Sequence, residues 1–498
     1  MNLDPDVCYR AVLARDARHD GQFFTCVKTT GIYCRPVCPA RTPKRENCSF
    51  VASTAAAQEA GFRPCLRCRP ESAPDLGAWR GASATVSRAL RLIEDGALDE
   101  GDVDGLAARL GVGERHLRRL FAKHLGAAPV TVAQTRRVLL AKQLIHQTVL
   151  PMAQVALASG FGSVRRFNET FQALYDRPPG DLRRSEAAPS GAGAGITLLL
   201  PYRAPYAWNA MLGFLQTRAI DGVETVTERR YARVIELDGA LGWVEVGDAP
   251  EKSALRVTVH FPRLDLLPQI IARLRRVFDL AADPAAIGAA LSRDPALAPL
   301  VTARPGLRVP GAWSGFEIAV RAILGQQITV TAAIRLASRL SAELGAPLPE
   351  PMGHLRHAFP GPERFSKAAT ENLPMPRARS AAIAGLAAAA EADPRLFDPR
   401  GDLDDAIVRL KALPGIGEWT AQYIAMRALR ESDAFLAADV GLQRVLGVLE
   451  NGERPSAKAL LARAETWRPW RAYAALHLWM AETQNTDSKT GDDNAIAA

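Results

Sequence analysis

Four cysteines and one aspartate are the residues whose types and spacing could do chemistry. Cys34 and Cys38 are separated by three residues and Cys65 and Cys68 by two, the pattern of a four-thiolate zinc site. Cys8, Cys26 and Cys48 have no such pairing and read as small core residues. All seven cysteines lie between positions 8 and 68 of a chain whose start, MNLDPDVCYR, has no apolar signal core. One Zn²⁺ rather than a disulfide framework is therefore expected. Far downstream, LPGIG (Leu413 to Gly417) can let backbone N–H groups converge without side-chain obstruction, and the helix beginning there can hold a phosphate through oriented donors and its dipole. A plain helix-helix turn would use the same residues. Trp419 and Tyr423 stand four apart just beyond it. Asp439 precedes Val440, Leu442, Val445, Leu446 and Leu449, so taken alone it reads as the N-cap of an amphipathic helix.

The elements that must position these residues follow from periodicity. Ile407, Leu410 and Leu413 recur at helical spacing, Pro414 stops that helix, and Ala421, Ile424, Ala425 and Ala428 start another: two helices around a tight hairpin. Leu106, Ala107, Leu110, Leu117, Leu120 and Phe121 form a helical apolar set, and LAARLGVGERHLRRLF returns in altered form as VALASGFGSVRRFNETF, an internal duplication. YARVIELDG, GWVEVG and ALRVTVHF alternate as strands do. SEAAPSGAGAG (Ser185 to Gly195) is a small-residue linker that no packing pattern crosses, so two independently moving halves are expected. With 498 residues, 48% of them hydrophobic, the chain can bury several cores, and its net charge of +9 suits a polyanionic partner. No run approaches the roughly 20 apolar residues of a membrane span, so a cytoplasmic protein is expected.

The words around the cysteines, VLARDARHDGQFFTCVKTTGIYCRPVC through GFRPCLRCRP, resemble the amino-terminal domain of the Ada adaptive-response family. The resemblance implies that Cys34 takes a methyl group from a DNA phosphotriester while Cys38, Cys65 and Cys68 complete the metal site. It also implies that Thr30, Arg41 and Arg63 approach DNA. The duplicated segment resembles an AraC-type pair of helix-turn-helix units, the module that follows the zinc domain in Ada. Arg115, His116, Arg118 and Arg119 in one repeat, and Ser163, Arg165, Arg166 and Asn168 in the other, would start the recognition helices.

PYAWNAMLGFLQTRAIDGVETV, ARPGLRVPG, FEIAVRAILGQQ, the hairpin stretch and RPWRAYAALHLW resemble the AlkA-type 3-methyladenine DNA glycosylases of the helix-hairpin-helix superfamily, over about the last 300 residues. That resemblance implies that Asp439 is the catalytic carboxylate, that Trp419, Tyr423, Trp479 and Phe214 line the base pocket, and that Gly415 and Gly417 grip DNA. Gln327 falls where the AlkA type carries a leucine wedge. Bifunctional relatives place a Schiff-base lysine at the slot of Trp419, so a monofunctional enzyme without lyase activity is implied. No cysteine follows Cys68, which excludes the iron-sulfur cluster of other relatives. The Pro-Cys-His-Arg motif of the second Ada methyl acceptor does not occur, so direct reversal of O6-alkylguanine is not expected.

Together these readings give a multidomain, mainly α chain. It comprises a small four-cysteine zinc α/β domain (1–78), a paired helix-turn-helix domain (79–184), the linker (185–195), an antiparallel α+β domain (196–302), an all-α helix-hairpin-helix glycosylase domain (303–482) and a disordered tail (483–498). The expected partners are double-stranded DNA carrying alkylated bases and methylphosphotriesters, promoter DNA and RNA polymerase, in the nucleoid of a bacterium and with no membrane. The competing reading is an alkylation-responsive transcription factor whose glycosylase half only binds DNA. Joint retention of Asp439, Trp419, Tyr423 and Trp479 argues against it, because grip alone requires none of them.

Overall fold

The computed structural model describes residues 3–74, 84–99, 101–183, 195–365, 375–398, 402–450 and 452–482. The tail and nearly all of the linker lie outside them. Two compact units result. The first holds residues 1–202, 237–275 and 280–282, and the second holds 203–236, 276–279 and the remainder.

The first unit begins with helix α1 (Pro5–Leu13), capped by Asp4, and a small sheet of order β3-β1-β2-β4. Strands β1 (Phe24–Val27), β2 (Ile32–Cys34) and β3 (Cys48–Val51) pair antiparallel, whereas β2 and β4 (Arg63–Pro64) run parallel. The parallel register sets Tyr33 beside Pro64, so the next residues along the two strands, Cys34 and Cys65, emerge side by side. Cys8, Cys26 and Cys48 are buried in the cores around this sheet, as their lack of pairing implied.

Helix α2 (Thr54–Glu59) closes one side of that sheet, and α3 (Ala84–Glu94) follows it in the chain. The first helix pair is α4 (Val103–Leu110) and α5 (Glu114–Leu125), turned by Gly111 at φ +70°. The second is α7 (Met152–Ala158) and α8 (Val164–Tyr175), with Ser163 as N-cap of α8. The buried trio Leu117, Phe121 and Leu125 of α5 recurs as Phe167, Phe171 and Tyr175 of α8, which is the structural form of the duplication. One face is core, so the other is free for a partner.

Helix α6 (Pro129–Gln147) joins the two pairs and buries polar side chains that a solvated helix would expose. Lys142, 0% exposed, donates to Glu71 Oε2 at 2.8 Å and to the carbonyl of Cys65 at 2.9 Å. Thr135 donates to Gln58, which donates in turn to the Tyr33 hydroxyl. On strand β5 (Ile196–Pro201), the Gln143 amide donates to the Leu199 carbonyl and the Leu199 N–H donates to Gln147, both at 2.9 Å. Among the described residues strand β5 has one strand neighbour, β9 (Ala254–His260), which pairs onward with β8 (Ala240–Ala249). The glutamines thus satisfy backbone groups that an edge strand leaves open. This compact unit therefore runs past the linker, and strands beyond it share a core unit with the amino-terminal domains.

In the second unit β6 (Glu224–Val226) and β7 (Arg230–Leu237) pair antiparallel, and the rest is helical apart from a second antiparallel pair, Pro347–Met352 with Leu355–His357, in the segment expected to be all-α. Arg233 bonds Glu317 at 2.7 Å and Arg321 bonds Glu224 at 3.0 Å, a buried four-charge cluster tying these strands to helix Gly315–Leu324. Removing one member of such a cluster strands another buried charge, at a cost of about 3–5 kcal/mol. Among the described residues no helix is long and apolar enough to cross a membrane.

Candidate functional site

Helix Leu403–Lys411 opens with a reciprocal Asp402–Asp405 capping box and ends before Pro414. Gly415 then takes φ +79°, a conformation that favours glycine, and a Cβ there would meet Ala382 Cβ at 2.5 Å. Ile416 is the buried plug of an otherwise exposed hairpin. Gly417 caps helix Glu418–Arg427 with backbone alone, so no side chain of its own covers the first-turn N–H groups. That is the geometry of a phosphate seat.

The first turn of the same helix carries Trp419, whose ring stacks on Tyr423 one turn later with centroids 5.1 Å apart and planes at 9°. Its indole N–H donates to Asp439 Oδ2 at 3.0 Å. Trp479, on the helix over 471–482, donates its indole N–H to Asp439 Oδ1 at 3.2 Å. Asp439 also N-caps helix Val440–Leu449 through the Leu442 N–H at 3.0 Å. The N-cap reading and the carboxylate brought to two tryptophans are thus both present, in one half-buried side chain. Three donors fix the orientation of a carboxylate that stays partly exposed.

Arg427, one further turn along, donates to the Tyr423 hydroxyl at 2.6 Å and to the carbonyl of Gly311, and also bonds the carbonyl of Pro310. Burial raises the Tyr423 phenol, but the guanidiniums of Arg427, Arg218 and Arg321 outweigh it and hold its pKa below the ordinary value. Burial also pushes Arg427 down to about 10. Phe214 is 3% exposed, with the Arg218 guanidinium 3.9 Å and that of Arg427 4.9 Å from its ring centre. Two guanidiniums therefore lie against a buried ring. Sequence reasoning missed Arg218 and Arg427; the available signal was a basic residue one turn after Phe214 and one turn after Tyr423.

Gln327 is exposed and holds φ +59° in the turn after helix Gly315–Leu324. A left-handed glutamine is a strained backbone position of the kind that collects at functional turns.

In the first unit the four sulfurs of Cys34, Cys38, Cys65 and Cys68 lie within 4.8 Å of one another. Tetrahedral zinc with thiolate bonds of about 2.3 Å needs sulfurs roughly 3.8 Å apart, so this donor set fits the metal. The Arg35 N–H donates to Cys68 Sγ at 3.3 Å and the Arg67 N–H to Cys65 Sγ at 3.4 Å. Arg35 is itself held by Asp20, Ser72 and the Cys68 carbonyl. Cys65 and Cys68 are buried, while Cys34 and Cys38 are partly exposed. Thr30 and Arg41 are exposed and Arg63 is half-buried. Arg115, His116, Arg118 and Arg119 on α5, and Ser163, Arg165, Arg166 and Asn168 at the start of α8, all lie on the exposed faces. Arg118 and Arg165 pair with Glu114 and Glu169 of their own helices, surface pairs weak enough to exchange for phosphate.

Three segments match known families: residues 7–71 the metal binding domain of Ada, 106–185 a helix-turn-helix domain, and 197–314 the AlkA N-terminal domain. The DNA-3-methyladenine glycosylase 2 of Escherichia coli is 35% identical over 292 residues, covering 58% of this chain and 98% of that protein. A 3-methyladenine DNA-glycosylase structure from Archaeoglobus fulgidus superposes with a TM-score of 0.51 at 22% identity, over 58% of this chain and 98% of that one, a likeness of fold. The "probable bifunctional transcriptional activator/DNA repair enzyme AlkA" of Mycobacterium tuberculosis is 42% identical over 484 residues, 96% of this chain and 97% of that protein. A likeness that spans both chains from the cysteine cluster through the Asp439 centre places this protein in the family of bifunctional transcriptional activator/DNA repair AlkA proteins.

Proposed function

We propose that the chain excises alkylated bases, of the 3-methyladenine and 7-methylguanine class, by hydrolysis of the N-glycosidic bond at Asp439, and accepts a methyl group from DNA phosphotriesters at Cys34. The observation that carries the first half is the Asp439 carboxylate held by two indole N–H groups and one amide. Nothing in DNA grip needs that arrangement.

Alkylation at a ring nitrogen makes a purine cationic and weakens its bond to the sugar. The stacked Trp419 and Tyr423 faces attract such a base once it is extruded, a step that costs a few kcal/mol and less for a damaged pair. Gln327 fills the gap left in the duplex. As C1′–N cleaves, its electron pair leaves with the base and the sugar gains oxocarbenium character. The Asp439 charge stabilises that carbon and takes a proton from the water that attacks it. Trp419 occupies the slot of a lyase lysine, so hydrolysis without strand cleavage is the reaction assigned.

At the cysteine cluster, zinc when bound keeps the sulfurs as thiolates at neutral pH. The Cys34 sulfur attacks the methyl carbon, the S–C bond forms, and the C–O bond breaks to leave an ordinary phosphodiester anion. Four thiolates around one divalent ion carry a net charge of about −2, which repels DNA; methylation of Cys34 removes one negative charge. Affinity for DNA through Arg41, Arg63, Arg115, Arg118 and Arg165 then rises, a single-use switch for the helix-turn-helix pair.

Incubation of the purified protein with randomly methylated DNA, scoring free bases and protein-bound methyl together, tests both halves. Both products are expected. Bound methyl without released base would leave a transcription factor only.

A further inference from the structure

Gln327 keeps a left-handed backbone without being glycine, and the surroundings must enforce it. Its neighbour Gln326 supplies the enforcement. The Gln326 side-chain amide donates one hydrogen bond to the carbonyl of Gly415 at 2.9 Å and another to Thr420 Oγ1 at 3.1 Å. Both N–H groups of that amide are used. Its own backbone carbonyl accepts from Arg379 at 2.6 Å. Arg379 lies on helix Arg377–Ala392, and so does Ala382, against which Gly415 packs too closely for a side chain. One glutamine therefore joins the turn of Gln327, the tip of the DNA-gripping hairpin and the first turn of the helix bearing Trp419.

We infer that Gln326 is a positioning residue for base extrusion: it fixes the distance between the inserting residue Gln327 and the phosphate-holding hairpin. The inference rests on the reading of Gln327 as the wedge of a glycosylase. An extruding enzyme must hold the backbone and insert a side chain as one rigid body, since slack between the two lets the base restack. The Gln326 side-chain amide is spent on Gly415 and Thr420, so it acts through the turn and the hairpin it joins.

The test uses the full-length protein with Gln326→Ala, Gln327→Ala and, for a change of one acceptor at constant shape, Thr420→Val. Single-turnover release of 7-methylguanine is measured from a paired duplex and from one with an abasic site opposite the lesion. A 2-aminopurine beside the lesion reports unstacking. Loss of positioning is expected to slow release from the paired duplex by at least about tenfold in Gln326→Ala. The aminopurine signal should fall in parallel, and release from the unpaired lesion should change much less. Thr420→Val should show the same pattern in smaller degree, which keeps the test open if Gln326→Ala is unstable. Equal losses on both duplexes, or no loss on either, would overturn the inference. If Gln327→Ala shows the paired-duplex defect and Gln326→Ala and Thr420→Val do not, the positioning role fails while the wedge survives. A Gln327→Ala enzyme that extrudes normally would remove the wedge itself.

Discussion

Trp419 and Asp439, twenty positions apart in sequence, meet through an indole N–H donated to a carboxylate oxygen at 3.0 Å. The same tryptophan stacks on Tyr423, so one side chain joins the aromatic pair to the carboxylate. Trp419→Phe keeps the stacking face and deletes the donor. Hydrogen bonds to charged groups contribute about 1.5–3 kcal/mol, so base release should fall by roughly 10-fold to 100-fold with binding to abasic DNA retained. Unchanged single-turnover release would mean that the indole does not orient the carboxylate.

Cys34→Ala removes the sulfur assigned to methyl transfer and leaves Cys38, Cys65 and Cys68. Methyl acceptance from a phosphotriester should vanish while the variant still takes up zinc, less tightly. Methyl transfer surviving in this variant would move the nucleophile to Cys38, the other partly exposed cysteine. In the wild type, singly methylated protein should bind promoter DNA more tightly, with an altered slope against salt.

Proteolytic cutting between Ser185 and Gly195 should yield two folded pieces, with base excision in the carboxyl piece. The pieces are expected to co-elute, because Gln143 and Gln147 hold Leu199. Gln143→Ala with Gln147→Ala should let them separate on gel filtration. Separation of the unmutated pieces would show that α6 does not hold β5.

His477 is 4% exposed, and burial, then the Arg304 guanidinium, push its pKa down to about 4. The folded value lies below the ordinary 6.5, so the unfolded chain binds the proton first. Stability is therefore full above about pH 6.5 and lost as pH falls toward 4, by on the order of 3 kcal/mol at most. Urea unfolding at pH 7 and pH 5 should register part of that loss, and His477→Gln should flatten it. An unaltered pH slope in the variant would assign the loss to other groups.

The parts of the site that were legible in sequence are those whose signal is local. The four cysteines announce a zinc site by spacing, and the parallel pairing of β2 with β4 then brings Cys34 and Cys65 together. Asp439 announces a cap because its apolar helix follows directly. The second indole was not legible as a donor to Asp439, since Trp479 reaches it only through the packing of two distant helices. Lys142, Gln143 and Gln147 carry no local signal of this kind; that they are contacts appears only when Glu71 and β5 are placed beside them. Gln326 and Gln327 look alike in sequence, and the backbone separates them: one side chain is tied inward and the other is exposed at positive φ.

Asp439 is expected to supply charge to a transition state and not only a cap to a helix. Asp439→Asn keeps the size and an oxygen for the Leu442 N–H, so stability should fall by no more than about 1 kcal/mol. Removing the charge should slow 3-methyladenine release by roughly 100-fold to 1000-fold, the usual effect of losing one preorganised electrostatic group. The deciding measurement is single-turnover release of 3-methyladenine by a folded Asp439→Asn protein that still binds methylated DNA. Collapse of that rate is the expected result, and release at near the wild-type rate would leave Asp439 as a helix cap without a catalytic role.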